Sequence, residues 1–136
     1  MHEKNTADTI FMIHAMCGGE WCWEHYIPFF EEKGYRCIAT RLRHHNRRLI
    51  NNPPSELART GLLDYAADLE QEIMQLNKKP ILMGHSLGGL LAQILASRGL
   101  GKALVLLAPA WPAGIVAIRP SVLKSFWSIM TTWKFW

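Results

Sequence analysis

A chain of 136 residues, 49% of them hydrophobic and with a net charge of +4, is one domain's worth and long enough to bury a core. No stretch reaches the roughly 18 uninterrupted apolar residues that a membrane span requires. Glu3 and Asp8 stand where a secretory leader carries positive charge, so a cytoplasmic chain is expected.

In chain order, TIFMIHA (9–15) is an apolar run of strand length that ends at Cys17, Gly18 and Gly19. Residues 23–33 place Trp23, Ile27 and Phe30 on one helical face, with Gly34 as the stop and Pro28 leaving the start of the helix open. YRCIATRL (35–42) reads as a second strand, and residues 43–61 as a polar loop broken by NNPPS. The clearest helix covers 62–77, where Leu62, Ala66, Leu69, Ile73 and Leu76 recur at steps of four and three. PILMG (80–84) is a third strand, 87–98 a nearly all-apolar helix ended by Gly99, and KALVLLA (102–108) a fourth strand. Strands without alternation, separated by helices, predict βαβ units and a parallel sheet covered on both faces, a three-layer α/β fold. In the tail, Phe126, Met130 and Trp133 line one stripe of a helix, widened by Trp127 and Ile129.

Charge is unevenly placed. All eleven acidic residues and all six histidines lie at or before His85, whereas Ser86–Trp136 carries five basic residues and no acid. The three cysteines, Cys17, Cys22 and Cys37, are an odd number without zinc-ligand spacing and fit idle thiols in a reducing compartment.

The chemistry concentrates at Gly84-His85-Ser86-Leu87-Gly88, between the third strand and the helix after it. A bare Gly-x-Ser-x-Gly arises by chance, but the strand–turn–helix setting is the one a nucleophile elbow needs. Glycines at 84 and 88 let neighbouring backbone approach a tight turn. The turn lifts the serine oxygen clear of the sheet edge and leaves the Leu87 amide free at a helix N-terminus, facing developing negative charge. Ser86 is therefore the candidate nucleophile; the alternative is a serine that merely starts a helix.

GHSLGG together with FMIHAMCGGEWCW, TRLRHHNRR and DYAADL resembles the α/β-hydrolase family over most of the chain. The resemblance implies a partial α/β-hydrolase fold of about four parallel strands, in the sheet order second, first, third, fourth. It implies a core over 1–110 and the beginning of a cap or lid over 111–136. It also implies an oxyanion loop at His14 and Ala15, with the Met16 amide joining that of Leu87 in the oxyanion hole. The form of the motif is similar to esterases, monoacylglycerol lipases and lysophospholipases, so a small-molecule acyl ester is the implied substrate, turned over through a Ser86 acyl-enzyme. Ala15 stands where the family usually has glycine, as do His44 and Asn46 in the loop of Leu-Arg-Gly-His-Gly type.

The family's order is serine, then acid, then histidine, yet no Asp, Glu or His follows Ser86. Upstream stand-ins for the base are His14, at the same sheet edge, His85 next to the serine, and His44 or His45 after the second strand. Asp8, Asp64 and Asp68 are expected to be solvated charges. A triad without its base keeps only about 10³–10⁴ over water from oxyanion hole and binding, so weak turnover is expected. Two explanations are open: a truncated hydrolase, or a stand-alone α/β core used for binding.

RLRHHNRR has no interleaved aromatic platform, so no nucleic-acid partner is expected. No phosphate loop and no metal-ligand spacing is present, so neither cofactor nor metal is implied. The Trp-rich segment 120–136 would suit transient lipid contact. The fourth strand would leave an unpaired apolar edge open to self-association.

Overall fold

The computed structural model describes residues 7–45 and 54–115, with Pro120, Ser121, Lys124 and Trp127. Four strands, β1 (Thr9–Ile13), β2 (Arg36–Ala39), β3 (Ile81–His85) and β4 (Ala103–Leu107), form one sheet in the order β2-β1-β3-β4. Every pairing is parallel, with Phe11 level with Ile38 and Leu82, and His85 level with Leu107. Both the fold class and the strand order agree with the reading of the sequence.

The lack of alternation in β1 has a direct cause. Phe11 and Ile13 point into a core built with α2 (Leu62–Met74) and α3 (Leu87–Ser97). Ile10 and Met12 point into a second core with Trp23 and α1 (Tyr26–Glu32). All four are at most 2% exposed, as befits a parallel strand covered on both faces. On α2 the buried residues are Tyr65, Ala66, Leu69 and Ile73, a single stripe, with Leu62 and Leu76 packed against it. Asp64 accepts a hydrogen bond from the Gly61 amide at 2.7 Å and so closes the helix start.

Boundaries move where backbone donors find other acceptors. The helix expected over 23–33 divides into a 3₁₀ turn at Glu20–Trp23 and α1 from Tyr26. Pro28 has no N–H and is accepted in the first helical turn, where donors lack partners anyway. Trp23, Ile27 and Phe30 still pack together. The α1 terminus is a Schellman motif: Gly34 at φ 86° donates to Glu31 O at 2.9 Å, Tyr35 donates to Phe30 O at 3.1 Å, and the Phe30 and Tyr35 rings meet edge to face. Gly99 and Leu100 end α3 in the same way. β2 stops short of residue 42 because the Leu42 amide leaves the ladder for a histidine ring. The tail stripe expected of Phe126, Ile129, Met130 and Trp133 lies outside the described residues.

No helix among the described residues is long and apolar enough to cross a membrane. Phe11→Ala removes a ring from the middle of the sheet and is expected to cost about 3–5 kcal/mol. Met74→Ala, at a side chain 72% exposed, should change stability by less than about 0.5 kcal/mol. Urea unfolding of the two variants beside the wild type checks the contrast.

Candidate active site

The C-terminal ends of the strands meet at one edge of the sheet, and backbone strain gathers there. Among the described residues, three non-glycine residues have positive φ: His44 (65°) after β2, Ser86 (52°) after β3 and Ala108 (41°) after β4. Such residues cost on the order of 1–3 kcal/mol each and persist only where the surroundings over-determine them. In open α/β sheets this edge is also where ligands bind.

At Ser86 the determinants are visible. Its φ and ψ are 52° and −115°, it sits at the N-cap of α3, and its side chain makes no capping bond. Its amide donates to Leu107 O at 3.1 Å, and its carbonyl accepts from Ala110 at 2.8 Å, Gly89 at 3.0 Å and Leu90 at 3.2 Å. A Cβ on Gly84 would stand 2.2 Å from Gly88 O, and one on Gly88 only 2.1 Å from Ile13 O and 2.6 Å from His14 O. Backbone replaces side chains at both positions, which presses the start of α3 onto the end of β1. Ser86 is half-buried and His85 exposed, so the serine stays within reach of solvent.

The loop after β1 is fixed by His14, which is fully buried. Its Nε2 accepts the Leu42 N–H at 3.1 Å and its Nδ1 lies 2.7 Å from the Ala15 carbonyl oxygen. An amide donor on one nitrogen and a carbonyl acceptor at the other are both satisfied by the neutral ring with its proton on Nδ1. Burial, the largest influence, holds the His14 pKa below its ordinary value, opposed by the Ala15 hydrogen bond and reinforced by His45. The Ala15 oxygen also accepts from Gly18 at 3.0 Å. In a planar trans peptide the N–H points opposite to the carbonyl, so pinning the Ala15 oxygen sets the direction of the Met16 N–H. Neither the Met16 nor the Leu87 amide has a hydrogen-bond acceptor among the described residues. Met16 itself is 44% exposed.

The structure thus brings Gly84, His85, Ser86, Leu87, Gly88, His14, Ala15 and Met16 to one sheet edge. It also removes His14 as a stand-in base, since both its nitrogens are engaged. Asp8 and Asp68 keep solvent-exposed side chains, as expected of surface charges, and form surface ion pairs with Lys102 and Arg43 respectively, while Glu20 pairs with Arg41. Arg98 meets Glu70 at 2.6 Å. Among the described residues no imidazole is hydrogen-bonded to Ser86, and no group of three or more His, Cys, Asp or Glu is arranged for a metal ion. Cys17, Cys22 and Cys37 are all free thiols. A shallow recess of about 310 Å³, lined by Arg36, Glu72 and Asn77 among others, lies toward the start of β2, away from Ser86. The strain at Ala108 and the inward turn of His45 were not read from the sequence; the only signal was a non-glycine residue where a turn wants glycine.

A four-stranded parallel sheet that carries a serine on a strained strand-to-helix bend is the arrangement of the α/β-hydrolase fold. Residues 10–136 match the alpha/beta hydrolase family, and the chain belongs to that family. It is 32% identical over 92 residues to Methylesterase 3 of Arabidopsis thaliana, covering 66% of this chain and 34% of that protein. Methylesterase 1 of the same organism is 29% identical over 94 residues, with the same coverage. Among solved structures, the tomato Methylketone Synthase I H243A variant complexed with beta-ketoheptanoate superposes with a TM-score of 0.67 at 22% identity, over 93% of this chain and 49% of that one. The chain therefore spans about a third of the length of the curated relatives it matches.

The neutral, buried His14 ties stability to pH. Unfolded, the ring binds a proton below about pH 6.5; folded, its lowered pKa keeps it neutral there, so stability falls as pH drops below that value. The loss is expected to begin as pH falls through about 6.5 and to end below the lowered folded pKa, with a slope of at most about 1.4 kcal/mol per pH unit. Urea titrations of wild type and His14→Asn should show a shallower slope for the variant; equal slopes would contradict the assignment.

Proposed function

We propose that Ser86 is the nucleophile of a carboxylic ester hydrolase site, with the Leu87 and Met16 amides as its oxyanion hole. The observation that carries this reading is the positive-φ bend at Ser86 on the N-terminus of α3, with no capping bond to occupy the hydroxyl. An N–H at the first position of a helix has no intrahelical acceptor, and it faces the negative charge that develops on an attacked carbonyl. A small-molecule ester is the substrate class that the methylesterase relatives suggest.

Acylation and deacylation both need a base to move the serine proton. Nothing after Ser86 in these 136 residues can serve as acid or imidazole, and the upstream candidate at the right edge, His14, is committed to Leu42 and Ala15. In this proposal the base and its carboxylate come from chain outside these residues, residues 111–136 begin a cap over the acyl site, and the 136 residues alone turn over weakly. A second reading, ligand binding without turnover, is favoured by the same missing base. The methylketone synthase neighbour was captured with beta-ketoheptanoate as an H243A variant. The edge of β4, with Leu104 and Leu106 nearly 40% exposed, would favour self-association.

A thiol in place of the hydroxyl tests the site without needing the base. Cysteine is nucleophilic at neutral pH, and a helix N-terminus lowers its pKa. Ser86→Cys treated with p-nitrophenyl acetate should release close to one equivalent of p-nitrophenolate in a burst and stop as a thioester at position 86. Wild type, with exposed Cys17 as its internal control, should show no such burst. Equal, slow release from both proteins would contradict the reading.

A further inference from the structure

The loop after β2 contains a built arrangement that the proposed chemistry does not use. His44 takes the left-handed conformation, at φ 65°, and the residue after it turns inward. The His45 ring centroid lies 5.2 Å from that of His14, tilted by 56°, and 5.7 Å from that of Tyr65, edge to face at 66°. Its Nδ1 is 2.9 Å from the Arg43 carbonyl oxygen, which calls for a proton on that nitrogen. Its Nε2 is buried with no hydrogen-bond partner among the described residues. Leaving a polar atom in that state costs on the order of 1–3 kcal/mol, and a left-handed histidine costs a similar amount. What holds the ring here is one hydrogen bond to the Arg43 carbonyl and its contacts with the two neighbouring rings.

Those contacts join a rigid body to a loop. Tyr65 belongs to α2 and is 3% exposed in the main core. Arg43, two residues before His45, is ion-paired with Asp68 on the same helix. On the other side stands His14, whose two nitrogens hold Leu42 and the Ala15 carbonyl. We propose that His45 is a positioning residue for the oxyanion loop. Wedged between Tyr65 and His14, it keeps the His14 ring in the one orientation that satisfies both bonds. The pinned Ala15 carbonyl then aims the Met16 N–H. The left-handed turn at His44 is the backbone device that swings His45 into place. This rests on reading Met16 as an oxyanion donor, but the positioning of His14 is measured separately from any reaction.

Long-range ¹H–¹⁵N spectra of the 136-residue chain report which His14 nitrogen carries the proton, and hydrogen exchange reports the Leu42 amide. Wild type should show one fixed tautomer, protonated on Nδ1, and a protected Leu42 amide. His45→Ala should give averaged His14 nitrogen shifts and speed Leu42 exchange at least tenfold, while core amides such as Leu91 keep their protection. His45→Phe, which retains a ring against both neighbours, should restore the single tautomer and the slow exchange. An unchanged His14 signature in His45→Ala overturns the proposal. So does an averaged signature in His45→Phe with the core intact, and that variant decides the matter alone if His45→Ala does not fold. A missing Ser86→Cys burst alongside the expected His14 response would defeat the hydrolase reading, and the oxyanion role of the loop with it, and leave only the positioning of His14 by His45 standing.

Discussion

Ser86 is bent into a region of backbone space that a residue with a side chain avoids, and the rest of the molecule is arranged to keep it there. β4 reaches across to take its amide and β4's following turn takes its carbonyl, through Leu107 and Ala110. β1 lies so close beneath that residue 88 has no room for a methyl group. The parallel pairing of β1, β3 and β4 is therefore more than a scaffold for packing. It fixes three chain ends at one level, and the bend is what remains when those ends are joined to a helix. Strain of this kind, supported by a sheet and two cores, is the ordinary way a fold presents a reactive group to solvent.

The same edge holds a loop governed by one buried ring. His14 is neutral because burial disfavours its charge, and a neutral ring can accept from Leu42 while its other nitrogen faces a carbonyl. A protonated ring would set a second donor against the Leu42 N–H. Burial, tautomer and loop direction are thus a single property. It also leaves His14 no free lone pair to take up a proton: Nε2 accepts from Leu42, and Nδ1 carries the hydrogen given to the Ala15 carbonyl.

Much of this was legible in the residues themselves. Continuous apolar runs gave four parallel strands because both faces of β1 are buried, Phe11 and Ile13 to one side and Ile10 and Met12 to the other. The α2 stripe was readable from its spacing, and the bend at Ser86 from two glycines and a strand–helix junction. Element ends were less legible. The end of β2 depends on the Leu42 amide choosing an imidazole 28 positions away, which no local pattern encodes. The inward turn of His45 and the strain at Ala108 were hidden for the same reason: contacts from other elements impose them. Ion pairs such as Arg43–Asp68 and Lys102–Asp8 likewise join residues far apart in the chain.

Replacing Ser86 by glycine weighs the bend directly, with no reaction involved. At an ordinary helix N-cap, serine to glycine costs a few tenths of a kcal/mol. At a strained, left-handed position without a capping bond, glycine relieves the backbone. Ser86→Gly should therefore be more stable than wild type by about 1 kcal/mol in urea unfolding, once its greater unfolded-chain entropy is counted. A variant equal to wild type, or less stable than it, would mean that Ser86 is an unstrained helix cap and that the site described here does not exist.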